Sequence, residues 1–374
     1  MTIAKTSSGT SYFVIGGEGF LGHNLISELV KSYPDSIITS LDLVQRYFTS
    51  RPIDLPNESD LNPTNSMQHS FIKSDLTSLN DLINSFDQIK PDVVFHTASP
   101  WIGSGREVCE KVNIQGTENV IEACKKFGVQ KLVYTSSAGV VYNGEDLINV
   151  DERLPIPENA LDHYNITKAK AEAIVLKAND NDKLLTCALR PAGIFGPGDR
   201  QAIPGIIQVL KNGQHRIQIG SNKNLFDWTY VDNVVHAHLL AATRLEGIVP
   251  VAGEAFFITG GEPVYFWDFT RSVWKAYATS EHLQETKDYQ PIPSFLWIIP
   301  KFLGVLLALL AELWCKVLQK PAGFTTSSVR YACATRFYNI EKARVVLGYE
   351  PVVGVEEGIS RAVEVKISFL LLFL

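Results

Sequence analysis

A tyrosine and a lysine four residues apart are the two side chains of this sequence best suited to acid–base chemistry. Tyr164 and Lys168 stand in "DHYNITKAKAE", residues 162–172, a run rich in helix formers. Because residues at i and i+4 share one helix face, the ammonium can lie beside the phenol. A free tyrosine has a pKa of about 10, and a nearby positive charge lowers it toward the range of a general base. The spacing alone also fits two unrelated surface residues.

Two serines supply a second part of the same chemistry. Ser136 and Ser137 follow the apolar run of "KLVYTSSAGVVY", which reads as a strand. Ligands of open α/β sheets bind at the carboxyl ends of the strands. A hydroxyl there can hold a substrate oxygen while a base removes the proton of an alcohol and a hydride leaves the same carbon.

A glycine turn near the N-terminus predicts a cofactor site. "GGEGFLG" places Gly16, Gly19 and Gly22 between a first strand and a first helix, where a pyrophosphate can approach the backbone and the helix N-terminus. Asp42 follows Gly22 by twenty residues and can accept hydrogen bonds from ribose hydroxyls, which favours NAD over NADP. Arg46 nearby leaves NADP open.

Asp75, in "KSDL", allows two interpretations. Its carboxylate could meet the adenine edge, or it could form the turn after the third strand.

The elements around these residues predict an α/β fold. Short β-branched runs alternate with amphipathic runs, which indicates a Rossmann-like, doubly wound parallel sheet with helices on both faces. One helix, "EVCEKVNIQGTENVIEACKKFG", should end at Gly128. We predict a long loop at 43–70, an NAD(P)-binding domain with the catalytic residues at 1–200, and a smaller, mixed and interleaved substrate-binding region at 201–374. The predicted strands are "SYFVIGG", "SIITSLDL", "SFIKSDL", "PDVVFHTAS", "KLVYTSSAGVVY" and "LLTCALRPAGIFG".

Composition narrows the function classes. The 374 residues carry a formal charge of -6 and no dense Lys/Arg run, which argues against a nucleic-acid partner. Five scattered cysteines form no metal-binding or disulfide pattern, so we expect no metal and a reducing compartment. The polar N-terminus has no secretory pattern.

An apolar stretch at 295–314 raises the question of a membrane. Pro300 and Lys301 interrupt it, and the remaining run is shorter than the ~20 residues of a span. With Trp297 and Trp314 near its ends, it could lie in a membrane interface, or it could be a buried helix over the substrate cleft. The apolar tail at 365–374 is either membrane-dipping or an aberrant end of the sequence.

Several segments together resemble the extended short-chain dehydrogenase/reductase family. They are the glycine turn, Asp42, Asp75, "HTAS", "VNIQGTENVIEAC", "YTSSAGVVY", "YNITK" and "LRPAGIFGPGD", in family order. The resemblance implies that Tyr164 is the general acid/base, that Lys168 holds the ribose and lowers the tyrosine pKa, and that Ser137, with Ser136 as second choice, polarises the substrate oxygen. It implies that Asn113 either holds a water of a proton relay or fixes the local backbone. The implied cofactor contacts are Gly16, Gly19, Phe20, Leu21, Gly22, Asp42, Asp75, Leu76, Thr97, Ala98, Ser99, Tyr164, Lys168 and Pro191.

The second half resembles the 3β-hydroxysteroid dehydrogenase branch of that family, in "NLFDWTYVDNVVHAHLLAA" and "GEAFFITGGEPVYFWDFTRSVW". The similarity is strongest to enzymes that oxidise the 3β-hydroxyl of a 4α-carboxysterol and release the carboxylate as carbon dioxide. Such oxidation makes a β-keto acid, which loses carbon dioxide without a metal. Arg200 is a candidate to orient the carboxylate, although a salt bridge or a phosphate contact fits it better.

Other functions share the same residues. They are a 3β-hydroxy-Δ5-steroid dehydrogenase/isomerase, a triterpene-decarboxylating or carbonyl-reducing enzyme and, in a different class, a non-catalytic NAD(P)-binding regulator. An epimerase is less favoured, because Phe226 stands where epimerases commonly carry arginine. The resemblance further implies a sterol-like substrate, peripheral membrane contact, a homodimer and association with other enzymes of sterol C-4 demethylation. The expected location is the cytoplasmic face of the endoplasmic reticulum or the cytosol.

Overall fold

The computed structural model describes residues 9–45, 69–101, 103–158, 162–246, 250–279, 296–320 and 323–372, and side chains as far as residue 364. Arg46 and most of the predicted loop at 43–70 lie outside these residues. The strands are β1 (Ser11–Ile15), β2 (Ile37–Asp42), β3 (His69–Lys73), β4 (Val93–His96), β5 (Lys131–Thr135), β6 (Leu147–Val150), β7 (Leu185–Pro191), β8 (Gly193–Phe195), β9 (Ile217–Ile219), β10 (Leu225–Phe226), β11 (Trp228–Tyr230), β12 (Glu254–Ile258), β13 (Val264–Tyr265), β14 (Trp297–Ile299) and β15 (Arg336–Tyr338).

The helices alternate with these strands in the first half of the chain. They are α1 (Phe20–Ser32), α2 (Leu79–Ile89), α3 (Arg106–Cys109), α4 (Gly116–Phe127), α5 (His163–Lys177), α6 (Ala202–Lys211), α7 (Val231–Arg244), α8 (Phe266–Thr279), α9 (Lys301–Val317), α10 (Thr326–Cys333) and α11 (Val355–Leu372). Two π-helical segments (Glu110–Gln115 and Ala343–Leu347) and two 3-10 turns (Ala138–Val141 and Gln214–Arg216) complete the list.

The main sheet has seven parallel strands in the order β12-β7-β5-β4-β1-β2-β3. The chain moves outward from β1 in one direction and then returns to build the other half from β4. This reversal leaves a crevice at the carboxyl ends of β1 and β4, where open α/β sheets bind ligands. The prediction of a doubly wound parallel sheet is confirmed.

Every side chain of β1 is buried, so both faces of the sheet are covered at this strand. Tyr12 and Val14 belong to one buried cluster, together with side chains of α1 and α7. Phe13 and Ile15 belong to a second cluster, with side chains of α2, α4 and α5. Because successive side chains of a strand point to opposite faces, one apolar strand contributes to both layers of the core.

The helical run that precedes β5 ends where the sequence indicates. Residues 106–127 are helical throughout, with the π-helical segment between α3 and α4. Gly128 follows in the left-handed region at φ 68°, and its N–H bonds to the carbonyl of Cys124. The glycine allows this conformation without a steric penalty, so the predicted stop is confirmed.

The second half of the chain completes the main sheet and adds a smaller one. β12 pairs in parallel with β7 at the sheet edge, a strand that the sequence analysis does not identify. A four-stranded mixed sheet has the order β13-β10-β15-β6, and β6 comes from the first half of the chain. The two halves are therefore interleaved.

The apolar stretch at 295–314 forms β14 and most of α9, with Pro300 as the N-cap of the helix. Within α9 only Gly304 and Ala308 are buried. The alternative of a buried helix over the substrate cleft is therefore wrong, because most of this helix faces away from the core. Within the described ranges we find no helix with the length and apolar character needed to cross a membrane.

Candidate active site

The tyrosine and the lysine lie one turn apart on α5. Asp162 caps this helix, and its carboxylate accepts a hydrogen bond from the Asn165 N–H at 2.8 Å. Such a cap satisfies an open N–H of the first turn and fixes where the helix begins. Tyr164 is half-buried and Lys168 is 2% exposed, so both face the protein rather than solvent.

Lys168 is held at the carboxyl end of β5. Its Nζ donates a hydrogen bond to the Thr135 carbonyl at 2.5 Å and lies 4.5 Å from the centroid of the Tyr134 ring. Burial lowers the pKa of Lys168 to about 7, and the nearby Glu172 carboxylate partly opposes this. The lysine thus stands next to the serine turn. Its ammonium bonds to a backbone carbonyl and not to the Tyr164 phenol.

Tyr164 is hydrogen-bonded to Ser99, which follows β4. Burial raises the pKa of Tyr164, and the hydrogen bond with Ser99 acts in the opposite direction but is the smaller effect. The chain alone therefore keeps the phenol protonated near neutral pH. A general-base role needs an additional positive charge beside the phenol, which an oxidised nicotinamide would supply.

The serine turn packs against the start of α5. Ser137 caps the 3-10 turn, and its Oγ accepts a hydrogen bond from the Gly139 N–H at 3.1 Å. A Cβ at Gly139 would lie 2.3 Å from Oδ1 of Asn165, the residue after Tyr164. This close approach brings the turn and the tyrosine to one place.

The two serines differ in accessibility. Ser137 is partly exposed, whereas Ser136 is 3% exposed and its hydroxyl has no hydrogen-bond partner within the described ranges. The exposure supports Ser137 as the first choice for contact with a substrate oxygen.

Asn113 connects the helices around the tyrosine. Its Oδ1 accepts from the Ser99 hydroxyl at 3.2 Å, and its Nδ2 donates to the Thr167 hydroxyl of α5 at 2.9 Å. The Asn113 carbonyl, in the π-helical segment, accepts from the Thr117 hydroxyl at 2.6 Å. These contacts position Ser99, the hydrogen-bond partner of Tyr164. The choice between a water relay and a backbone role stays open.

The glycine turn forms a cradle that larger residues would fill. A Cβ at Gly22 would lie 2.2 Å from the Gly16 carbonyl oxygen, and a Cβ at Gly16 would lie 2.6 Å from the Ala98 Cα. Gly16 also has φ 85°, which favours glycine. Gly19 caps α1 without a side-chain hydrogen bond, so the N–H groups of Phe20 and Leu21 are available at the helix N-terminus. This geometry fits a pyrophosphate.

Asp42 ends β2 beside that turn. Its Oδ2 accepts from the Glu18 N–H at 3.2 Å and its Oδ1 accepts from the Leu43 N–H at 2.8 Å. The carboxylate therefore lies against the glycine turn, where ribose hydroxyls of a bound dinucleotide would be within reach. The residues present fit NAD.

Asp75 forms the turn that leads into α2. Its Oδ1 accepts hydrogen bonds from both the N–H and the hydroxyl of Thr77, each at 2.8 Å. These contacts favour the turn-forming interpretation over contact with the adenine edge.

The remaining predicted cofactor residues lie at strand ends or under the turn. Thr97 donates from its hydroxyl to the Ile15 carbonyl at 3.0 Å and so ties β4 to β1. Pro191 is the last residue of β7, and Leu76 is 9% exposed and packs under Gly116. The structure therefore brings the predicted residues to one edge of the sheet, and their roles stay predictions.

Three contributors to the site were not predicted from the sequence. They are the Thr135 carbonyl, the Thr167 hydroxyl and the buried ion pair between Glu172 and Arg190, in which Nε lies 2.9 Å from Oε2. A signal existed for Thr167, which follows Tyr164 by three residues and shares its helix face. The role of the Thr135 carbonyl could not be predicted, because every residue has a backbone carbonyl.

The parallel sheet, the glycine turn and the serine, tyrosine and lysine at the strand ends form the arrangement of an extended short-chain dehydrogenase/reductase. Residues 13–285 match the model of the 3-beta hydroxysteroid dehydrogenase/isomerase family. The chain belongs to this family, as the sequence resemblance predicted.

Two curated relatives extend the match. The sterol-4-alpha-carboxylate 3-dehydrogenase erg26, decarboxylating, of Schizosaccharomyces pombe is 46% identical over 92% of this chain and 94% of that protein. The protein of the same description from Saccharomyces cerevisiae, ERG26, is 45% identical over 94% of this chain and 96% of its own length. Among solved structures, epimerase Mth375 of Methanothermobacter thermautotrophicus superposes with a TM-score of 0.70 at 22% identity, covering 99% of this chain and 95% of that one. The last similarity supports the fold alone.

Proposed function

We propose that this protein is an NAD-dependent oxidoreductase that converts the 3β-hydroxyl of a 4α-carboxysterol to a ketone, with loss of the C-4 carboxylate as carbon dioxide. The observation that carries the proposal is the grouping of Ser137, Tyr164 and Lys168 at the end of β5, next to the glycine turn. The names of the two curated relatives support the substrate class.

The residues divide the reaction between them. Gly16, Gly22 and Asp42 would hold the dinucleotide, whose nicotinamide supplies the hydride acceptor when bound. Ser137 donates a hydrogen bond to the C-3 oxygen. Tyr164 accepts the proton of the C-3 hydroxyl while the hydride leaves C-3.

The second half of the reaction follows from the product of the first. The new C-3 carbonyl lies β to the carboxylate, so the bond between C-4 and the carboxylate can break with its electron pair moving into the carbonyl. Ser137 and the protonated Tyr164 stabilise the developing enolate oxygen by hydrogen bonds. One proton added to C-4 then gives the ketone, and it balances the proton that Tyr164 removed from the C-3 hydroxyl.

Incubation with NAD and a 4α-carboxysterol labelled in the carboxylate tests the proposal. NADH and labelled carbon dioxide should appear together. NADH without labelled carbon dioxide would indicate a plain hydroxysteroid dehydrogenase. Neither signal would favour a carbonyl reductase or a non-catalytic NAD(P)-binding regulator. Tyr164→Phe should lower kcat by about 10²- to 10⁴-fold, whereas Tyr265→Phe, at an exposed tyrosine, should leave kcat unchanged.

Part of the proposal is that α9 lies in the interface of the membrane that holds the sterol. Apart from Lys301 and Lys316 at its ends, the exposed side chains of this helix are apolar, with Phe302 76%, Trp314 65% and Val317 75% exposed. Monomeric soluble proteins rarely expose a contiguous apolar patch of this kind. The acidic residue of the helix, Glu312, is turned toward α10, where it accepts from the Thr326 N–H at 2.8 Å.

The shape and charge of α9 fit a surface-lying helix. Seventeen residues at about 1.5 Å each span about 25 Å, shorter than the ~30 Å hydrocarbon core. Lys301 stands at one end and Lys316 and Lys320 at the other, where ammonium groups meet anionic headgroups. The side chains of the tail at 365–374 lie outside the described residues. The endoplasmic reticulum is the membrane we propose.

Vesicle sedimentation tests whether a membrane or a second copy of the chain covers the exposed face of α9. The variant with Phe302→Gln, Leu310→Gln and Leu313→Gln should lose binding to phosphatidylcholine–phosphatidylserine vesicles. A control with Val345→Gln and Val352→Gln, at exposed valines elsewhere, should keep it. Equal sedimentation of both variants would refute the membrane contact. A monomer–dimer change in the first variant would assign the face to the expected homodimer instead. Co-purification tests the association with other demethylation enzymes.

A further inference from the structure

A buried arginine of the small sheet has no charged partner. Arg336 begins β15 and is 6% exposed. Its Nε is buried without a hydrogen-bond partner, and none of the ion pairs found among the described residues includes Arg336. Burial of an unpaired cation is costly, so such a group in a folded protein points to a bound anion.

Aromatic rings enclose the guanidinium. Its central carbon lies 4.5 Å from the Tyr142 ring centroid, 4.7 Å from that of Phe226 and 3.9 Å from that of Tyr331. Each contact stabilises a desolvated cation by roughly 0.5–2 kcal/mol. The rings hold the guanidinium in place, but they satisfy none of its N–H groups.

One donor without a partner belongs to a ring that encloses the guanidinium, and another lies one ring further away. The Tyr142 hydroxyl and the Trp228 Nε1 are both buried and have no hydrogen-bond partner in the part of the chain that the structure describes. Trp228 packs on Phe226 at 4.8 Å between ring centroids. A buried guanidinium and the neighbouring phenol hydroxyl of Tyr142, both without acceptors, are the complement of a carboxylate, whose two oxygens accept up to about four hydrogen bonds.

The strand register separates Arg336 from the buried Asp227. Arg336 is the direct partner of Phe226 across the β10–β15 pair, so these two side chains share one face of the small sheet. Asp227 follows Phe226 and accepts from the Tyr338 N–H at 2.8 Å. Asp146 accepts from the Thr335 N–H at 2.9 Å.

The arginine borders the catalytic serine turn. Tyr142 closes that turn, and its N–H bonds to the Gly139 carbonyl at 3.0 Å. On the other side, a Cβ at Gly193 would lie 3.1 Å from Phe226, and Gly193 stands two residues after Pro191. Tyr331 is 39% exposed and forms the outer wall of the cage.

We propose that Arg336, with the Tyr142 hydroxyl, binds the carboxylate of the substrate and makes the enzyme selective for 4-carboxysterols. This assignment rests on the proposed function. Arg200, the earlier candidate, is exposed at the start of α6. A guanidinium offers paired donors that match a carboxylate.

The direction in which charge moves during the reaction limits the arginine to substrate recognition. Loss of carbon dioxide moves negative charge from the carboxylate toward the C-3 oxygen, so a cation at the carboxylate stabilises the reactant more than the transition state. Arg336 therefore lowers KM for the acid without speeding the C–C cleavage.

The test compares substrates rather than total activity. The full-length enzyme and its Arg336→Met and Arg336→Lys variants are assayed with NAD and either a 4α-carboxysterol or the matching 3β-hydroxysterol without the carboxylate. Arg336→Met should raise KM for the acid by about 10- to 100-fold, in line with the loss of a charged hydrogen bond. It should leave kcat, the carbon dioxide released per NADH, and kcat/KM for the other sterol unchanged. Arg336→Lys should recover part of the loss.

A control separates specific recognition from overall charge. Arg330→Met removes an exposed cation of α10 and should change the acid preference little. Quenching of tryptophan fluorescence by the acid, measured without NAD so that no oxidation occurs, gives an affinity that does not depend on turnover. Thermal unfolding of each variant shows whether it is folded.

The outcomes are distinct. A wild-type enzyme that oxidises the acid, with variants that keep its KM, would overturn the role of Arg336 and leave the proposed function intact. Equal loss with both sterols would show that Arg336 is only structural. A wild-type enzyme inactive with the acid would overturn the proposed function itself.

Discussion

The ion pair between Glu172 and Arg190 joins the catalytic helix α5 to β7, and its removal should be costly. The Arg190 guanidinium makes two hydrogen bonds to the carboxylate, at 2.9 and 2.5 Å. The two side chains are only 1% and 6% exposed. Glu172→Gln keeps the shape but leaves a buried, unpaired guanidinium. Truncation of one partner of a buried pair destabilises by about 3–5 kcal/mol.

Thermal unfolding converts that energy into a measurable shift. With an unfolding entropy of about 2.1 cal/mol/K per residue, a chain of 374 residues carries roughly 0.8 kcal/mol/K, so Tm should fall by about 4–6 °C. Glu246→Gln is the matched control, because Glu246 pairs with Lys131 but is 60% exposed. A surface pair contributes about 0–1 kcal/mol, and the control should shift Tm by about 1 °C or less.

A double variant tests the cause. Glu172→Leu combined with Arg190→Met removes both charges, and the apolar pair should restore most of the lost stability, because no unpaired charge remains. The Arg190 Nη1 is buried without a partner in the described ranges, so the pair is incompletely satisfied even in the native protein. Additive losses in the double variant, or a single-variant Tm equal to that of the control, would refute the reasoning.

Three further predictions concern the cofactor turn and a buried acid. Gly22→Ala should abolish NAD binding in a fluorescence titration, because its Cβ would lie 2.2 Å from the Gly16 carbonyl oxygen; retained affinity would contradict the cradle geometry. Asp42→Asn should lower the ratio of kcat/KM for NAD over NADP by about 10-fold or more, because the charge that repels a 2′-phosphate is lost; an unchanged ratio would remove Asp42 from the specificity site. Burial raises the pKa of Asp227 from 3.8 to about 7, so the folded state binds an extra proton between these values and stability should fall as pH rises through that window. Asp227→Asn should flatten this dependence in denaturant titrations, and an unchanged slope would exclude Asp227 as its source.

Much of the nucleotide-binding half is predictable from short-range patterns. Gly16, Gly19 and Gly22 lie within seven residues, and Tyr164 and Lys168 lie on adjacent turns of one helix. Backbone geometry over such distances depends on the residues themselves, so the turn, the helix face and the Gly128 stop follow directly.

The parts that sequence reasoning missed come from chain segments far apart. β12 reaches the edge of the main sheet from residue 254, although its partner β7 ends at residue 191. The exposure of α9 was equally undecided, because an apolar helix can face a core or a membrane and only the surrounding structure distinguishes them.

The sequence by itself determined the family, the doubly wound sheet, the cofactor turn and the tyrosine–lysine pair, because each is encoded by residues close together in the chain. Only the tertiary structure decided that Ser99, Asn113 and Thr167 surround the tyrosine and that Arg336 lies unpaired beside Tyr142. Tyr142 and Arg336 are almost two hundred residues apart, and the register of β6, β10 and β15 sets their contact. Register depends on the packing of the whole small sheet, which no local pattern of residues specifies.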